Sequence, residues 1–230
     1  MNLNNPIGYK STEPLQKPFI MNPFRFGGGD VGSWKEVGRN ILTGTNGTLD
    51  SGTFTAKKYL QVLVYLNNTS AVEQRMRFNS VSASEYAFRF SSDGGTDGTA
   101  INDSNMLIGN GGITTPSFTN ININNNTANE KLSISNNVYQ NTAGAGTAPQ
   151  RFEAVNKWAN TSSDITSIQL FNASGGVYQS GSEIVVLGWD TTDTHPVEDN
   201  FWQELASITL GVPADEMDTG TIPAKKYLWV

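Results

Sequence analysis

An antiparallel β-sandwich preceded by an extended N-terminal arm is the fold this sequence predicts. Three observations predict it. Apolar runs of strand length recur at short intervals, clusters of Gly, Asn, Asp and Ser separate them, and one segment of the chain occurs twice.

Taken in order, the strand signals are these. Residues 58–66 (KYLQVLVYL) are rich in aliphatic and aromatic side chains, residues 75–78 and 86–90 alternate apolar with polar, and residues 118–123 read F-T-N-I-N-I. Residues 131–134, 152–158, 165–171 and 183–189 continue the series. Between them lie turn-forming stretches at residues 91–105 (SSDGGTDGTAINDSN), 124–126, 144–146 and 175–176. About eight short strands with no convincing amphipathic helix make a sandwich of jelly-roll type. Residues 201–206 are a brief helical candidate.

The repeat fixes the organisation. Residues 34–62 (WKEVGRNILTGTNGTLDSGTFTAKKYLQV) realign without a gap on residues 202–230 (WQELASITLGVPADEMDTGTIPAKKYLWV). Identical pairs include Trp34/Trp202, Glu36/Glu204, Asp50/Asp218, Gly52/Gly220 and the string from Ala56 to Leu60 against that from Ala224 to Leu228. One sandwich unit is therefore expected over residues 34–201. A second, incomplete copy begins at residue 202, in which case the protein is the front of a tandem array or its last segment adds a strand to a neighbour.

Residues 1–33 differ in character. Pro6, Pro14, Pro18 and Pro23 keep the chain extended, Phe19, Ile20, Met21, Phe24 and Phe26 supply apolar surface, and three consecutive glycines at 27–29 make a hinge. That composition suits an assembly anchor better than a solubilising tail.

Composition excludes several functions. With 15 Lys and Arg against 21 Asp and Glu, the net charge of -6 leaves no basic footprint for a phosphate backbone, so nucleic acid is not an expected partner. Cysteine is absent, which removes disulfides, thiol nucleophiles and Cys-ligated metals. No apolar run has the length of a membrane span, and the N-terminus lacks the basic start and apolar stretch of a signal peptide. His195 is the single histidine, in a linker-like TTDTHP stretch, so multi-histidine metal sites are excluded and no catalytic residue is assigned. Glu73, Glu85 and Glu183 are carboxylates of the kind a polysaccharide-cleaving enzyme needs, without a spacing that pairs them.

The string from Trp34 to Arg39, the strand KKYLQVLVYL, the segments RMRFNS at 75–80 and YAFR at 86–89, and YQNTAGAG at 139–146 together resemble virion structural proteins of tailed bacteriophages. The likeness covers most of residues 34–230 and excludes the arm. It implies a non-enzymatic fibre, head-fibre or decoration module in the virion. Other virion proteins and further copies of itself would be its partners, with a host-surface glycan as a candidate ligand and no cofactor. A carbohydrate-binding module of cellular origin is the alternative, and an enzyme acting on polysaccharide is a third.

Candidate site residues follow from chemistry. Arg75, Arg77 and Arg89 alternate with Met76, Phe78 and Phe88, so their guanidiniums are expected on one strand face, and Arg77, Asn79, Tyr86 and Arg89 form the candidate ligand pocket. Asp93, Asp97 and Asp103 among glycines are hard oxygen donors of the type calcium takes, although turn formation accounts for them as well. Trp34, Tyr86, Trp158, Trp189 and Trp202 are the aromatic candidates for stacking on a sugar ring. For Trp158 and Trp189, at the ends of apolar runs, core packing is the plainer expectation.

Overall fold

The computed structural model describes residues 34–140, 142–190, 216 and 218–225. The arm anchor (Phe19, Ile20, Met21, Phe24, Phe26), His195, Trp202 and the helical candidate at 201–206 lie outside the described residues. Among the described residues twelve strands and no helix follow one another: β1 (Lys35–Ile41), β2 (Thr48–Asp50), β3 (Tyr59–Leu66), β4 (Gln74–Phe78), β5 (Tyr86–Ser92) and β6 (Gly98–Asp103), then β7 (Met106–Leu107), β8 (Ser117–Asn124), β9 (Lys131–Tyr139), β10 (Gln150–Trp158), β11 (Ile168–Asn172) and β12 (Glu183–Trp189).

Every strand pair is antiparallel, and the strands form two sheets, ordered β1-β12-β3-β8-β9-β10-β5-β6 and β2-β11-β4-β7. The order β1-β12-β3-β8 facing β2-β11-β4-β7 is a jelly roll, because the successive pairs β1/β2, β3/β4, β7/β8 and β11/β12 each cross from one sheet to the other. The remaining strands are two insertions. The β5-β6 hairpin enters between β4 and β7, the β9-β10 hairpin between β8 and β11, and together they widen one sheet to eight strands.

The inward side chains of both sheets make a main core and a smaller cluster of Phe88, Leu107, Phe152 and Ala154. Leu60, Val62 and Val64 of β3 and Ile184 and Val186 of β12 meet Leu49, Met76, Phe78, Ile168 and Leu170 from the smaller sheet. Trp158, fully buried, stacks on Tyr86 with ring centroids 6.2 Å apart and tilts against Phe78 at 5.7 Å. Under β8 and β9 the layer between the sheets turns polar: buried Gln74 donates to Ser117 Oγ at 2.7 Å, and Asn137 donates to Thr119 Oγ1 at 2.7 Å.

The eight strands expected from the sequence are β3, β4, β5 and β8 to β12, several of them longer than the pattern indicated. Four others were not expected. Residues 91–105, read as a loop, contain the end of β5 and all of β6 in a hairpin. β1 and β6 are sheet edges in which mostly polar residues surround isolated, exposed Ile41 and Ile101, and β2 and β7 are three and two residues long, so none shows a periodic apolar signal.

Candidate functional site

The quartet Arg77, Asn79, Tyr86 and Arg89 is not brought together. Arg77 and Arg89 belong to β4 and β5, which lie in different sheets. Arg77 covers the Phe171 ring at 4.1 Å and donates to the Ser104 carbonyl, whereas Arg89 pairs with Asp97 at 3.2 Å on the eight-stranded sheet. Arg75, expected on the same face as Arg89, is instead in the smaller sheet, paired with Glu73. Tyr86 is buried in the core, donating to the Val81 carbonyl at 3.1 Å, and burial pushes its hydroxyl up to about 12. The Asn79 amide is consumed by backbone. It donates to the Asp164 carbonyl at 2.8 Å and accepts from the amides of Thr166 and Ser167 at 2.9 and 3.1 Å.

The three aspartates also go separate ways. Asp93 accepts from the Arg151 amide and the Gln150 side chain, Asp97 pairs with Arg89, and Asp103 caps a turn by accepting from the Asn105 amide at 3.2 Å. Among the described residues no group of three or more acidic or histidine side chains converges as a metal site. The carboxylates Glu73, Glu85 and Glu183 are equally dispersed, engaged by Arg75, by the Trp158 indole at 3.0 Å and by Arg39 at 2.5 Å.

A different constellation assembles at one end of β3 and β12. Trp189 stacks on Tyr59 with centroids 5.3 Å apart and 19° between planes, and Trp34 tilts against Trp189 at 6.4 Å. All three rings are half-buried. The antiparallel register explains the first contact, since Tyr59 and Trp189 are directly opposed on the outer face. Lys58 extends over the Tyr59 ring, 5.4 Å from its centroid.

Beside these rings is a polar cleft of about 220 Å³, lined by Lys57, Lys58, Asn126, Thr127, Asp164 and Asp190 among others. Its lining is fixed by the chain around it. Asp190 accepts from the Lys58 amide at 2.5 Å and lies 3.5 Å from Lys57 Nζ, tying the end of β12 to the entry of β3. Asn125 holds the far wall by donating to the Lys57 carbonyl at 3.0 Å and accepting from the Ile165 amide at 2.8 Å. Thr127 donates to Asp164 at 2.8 Å, and the Asn126 amide has no hydrogen-bond partner among the described residues. The indole N–H of Trp189 is buried and has no hydrogen-bond partner among them. The cleft thus offers amide and ammonium donors and carboxylate acceptors, groups that bind polyhydroxylated ligands.

Sequence reasoning marked Trp34 and Trp189 but not the lysines and aspartates around them. A signal was present. The repeated string that begins Ala56-Lys57-Lys58, against Ala224-Lys225-Lys226, supplies one wall of this cleft, and Trp34, also repeated, packs on Trp189, the chain neighbour of Asp190.

A jelly-roll sandwich with a polar cleft at one end is the class that fold and site define. Compared with protein-family models, curated proteins and solved structures, the chain matches none.

Proposed function

We propose that this chain is a non-enzymatic virion structural module, attached through its N-terminal arm and recognising glycans through the polar cleft formed by Lys57, Lys58, Asn126, Asp164 and Asp190. The observation that carries the reading is that cleft, whose lysines, with the adjacent Tyr59, recur in the second copy as Lys225, Lys226 and Tyr227. A tandem arrangement of weak glycan sites gains avidity without any new contact. The jelly-roll topology and the phage-like segments named above support the virion placement.

A glycan array probed with the full chain tests the ligand class. Replacing Lys58 or Asn126 by Ala should leave the circular dichroism unchanged and weaken glycan binding about three- to tenfold, the loss of one net hydrogen bond. Unchanged binding in both variants contradicts the assignment of the cleft. Release of new reducing ends from a bound polysaccharide would contradict the non-enzymatic reading.

A further inference from the structure

The outer face of the eight-stranded sheet is divided. Over β12 and β3, Leu63, Val185 and Leu187 are buried in a cluster with Trp34 and Phe118 packed against it. Over β9 and β10, Leu132, Ile134, Val138 and Val155 remain 54%, 55%, 40% and 51% exposed. Leu132, Ile134 and Val155 are neighbours, and Val138 lies beyond them across the Asn136/Glu153 row. The register sets Ile134 directly against Val155, Leu132 against Lys157, Asn136 against Glu153 and Val138 against Arg151. A contiguous apolar patch rimmed by charge marks an interaction surface.

The charge pattern says what covers it. On β10 the outward positions run Arg151, Glu153, Val155, Lys157, so an acid and a base stand two residues to either side of Val155. Lay a second copy face to face, with a two-fold axis along the row joining Ile134 and Val155. Each Glu153 then meets the other copy's Lys157, while Val155 meets Val155 and Ile134 meets Ile134. The Val155 and Ile134 contacts and the two Glu153–Lys157 pairs are complementary across that axis, as an isologous contact requires, with Leu132 meeting Asn136 beside them. Within one copy Glu153 lies 3.4 Å from Arg151 and Lys157 3.2 Å from Glu130, both exposed pairs of the weak kind that a second copy can recruit. We propose that two copies of this chain associate through β9 and β10, packing sheet on sheet.

Sedimentation velocity on the full chain, at concentrations from about 1 to about 100 μM, tests this over the range where modest interfaces populate. A concentration-dependent dimer is expected. Val155→Glu, which places two like charges on the axis, should abolish it while leaving the thermal midpoint within a few degrees. Glu153→Lys and Lys157→Glu should each raise the dimer dissociation constant about tenfold by setting like charges opposite each other, and the double swap should restore it to within about threefold. A chain that stays monomeric throughout overturns the proposal. So does an oligomer that Val155→Glu leaves intact, or a double swap no better than the single ones.

Discussion

Asn79 shows how one residue can look like a binding group and serve the fold instead. Its φ of 51° lies in the left-handed region that Asn tolerates better than most residues, and its amide closes three bonds to backbone at residues 164, 166 and 167. Asn79→Ala should therefore lower stability by about 2–4 kcal/mol in urea unfolding, from unsatisfied backbone groups plus backbone strain. A loss under about 0.5 kcal/mol, the value of an ordinary surface change, would contradict this. Nothing in the sequence around position 79 reveals partners more than eighty positions away, which is why the residue read as a ligand contact. Trp158 was more legible, since its place at the end of an alternating apolar run predicted the core position it takes. Tyr86 and Tyr178 add a pH dependence. Burial, the leading cause for both, raises Tyr86 to about 12 and Tyr178 further, whereas an unfolded phenol titrates near 10. The folded state then holds protons that the unfolded state releases, so this contribution is complete below pH 10 and is lost as pH rises through 12. Thermal midpoints should fall across that window, with the folded protein's Tyr86 phenolate absorbance delayed until pH nears 12. A midpoint flat from pH 10 to 12 would contradict the assignment.

At the scale of elements, Gly188 joins β12 to the cleft. A Cβ built there meets Lys57 Cγ at 2.5 Å and Lys57 Cβ at 2.9 Å, so the lysine stem lies across the glycine on its way to Asp190. Gly188→Ala should displace that stem, costing about 1–3 kcal/mol of stability and weakening glycan binding together. Equilibrium unfolding and binding on the same variant check it, and a variant with both unchanged would show that the approach is not needed. The repeated turn is a second element-level feature. Gly52 and Gly220 take φ of 73° and 70°, and the amide of each donates to the carboxylate two residues earlier, Asp50 at 2.8 Å and Asp218 at 2.7 Å. The Asp-x-Gly identity in the two copies was a request for that geometry, legible because only Gly adopts such φ without strain. The edges β1 and β6 were not legible, since a strand with one paired side and an exposed, polar surface carries little apolar alternation. Face assignments failed for a related reason: alternation orders residues within β4 or within β5 but cannot say that these adjacent strands enter different sheets.

For the whole molecule, the sequence led to a jelly roll because its eight strongest runs are strands, β4, β8, β9 and β10 alternating between buried and more exposed positions and β3 and β12 buried along continuous apolar stretches. The cleft was hidden because its parts come from residues 56–58, 125–127, 164 and 190, which only the crossing of chain between sheets brings to one end. The account built on this fold is that the sandwich works on a virion while the Pro-rich, Phe-rich residues 1–26 attach it. Several apolar side chains on such a segment would supply on the order of 5–8 kcal/mol before ordering costs, enough to retain a subunit when arms act together. The most direct test is the copy number of this chain in purified particles, by quantitative mass spectrometry, for the full chain against one lacking residues 1–26. The account predicts that the truncated protein folds, with its sandwich's thermal midpoint unchanged, and is missing from particles. Incorporation of the truncated protein at the normal copy number would contradict it, as would absence of the full chain from particles.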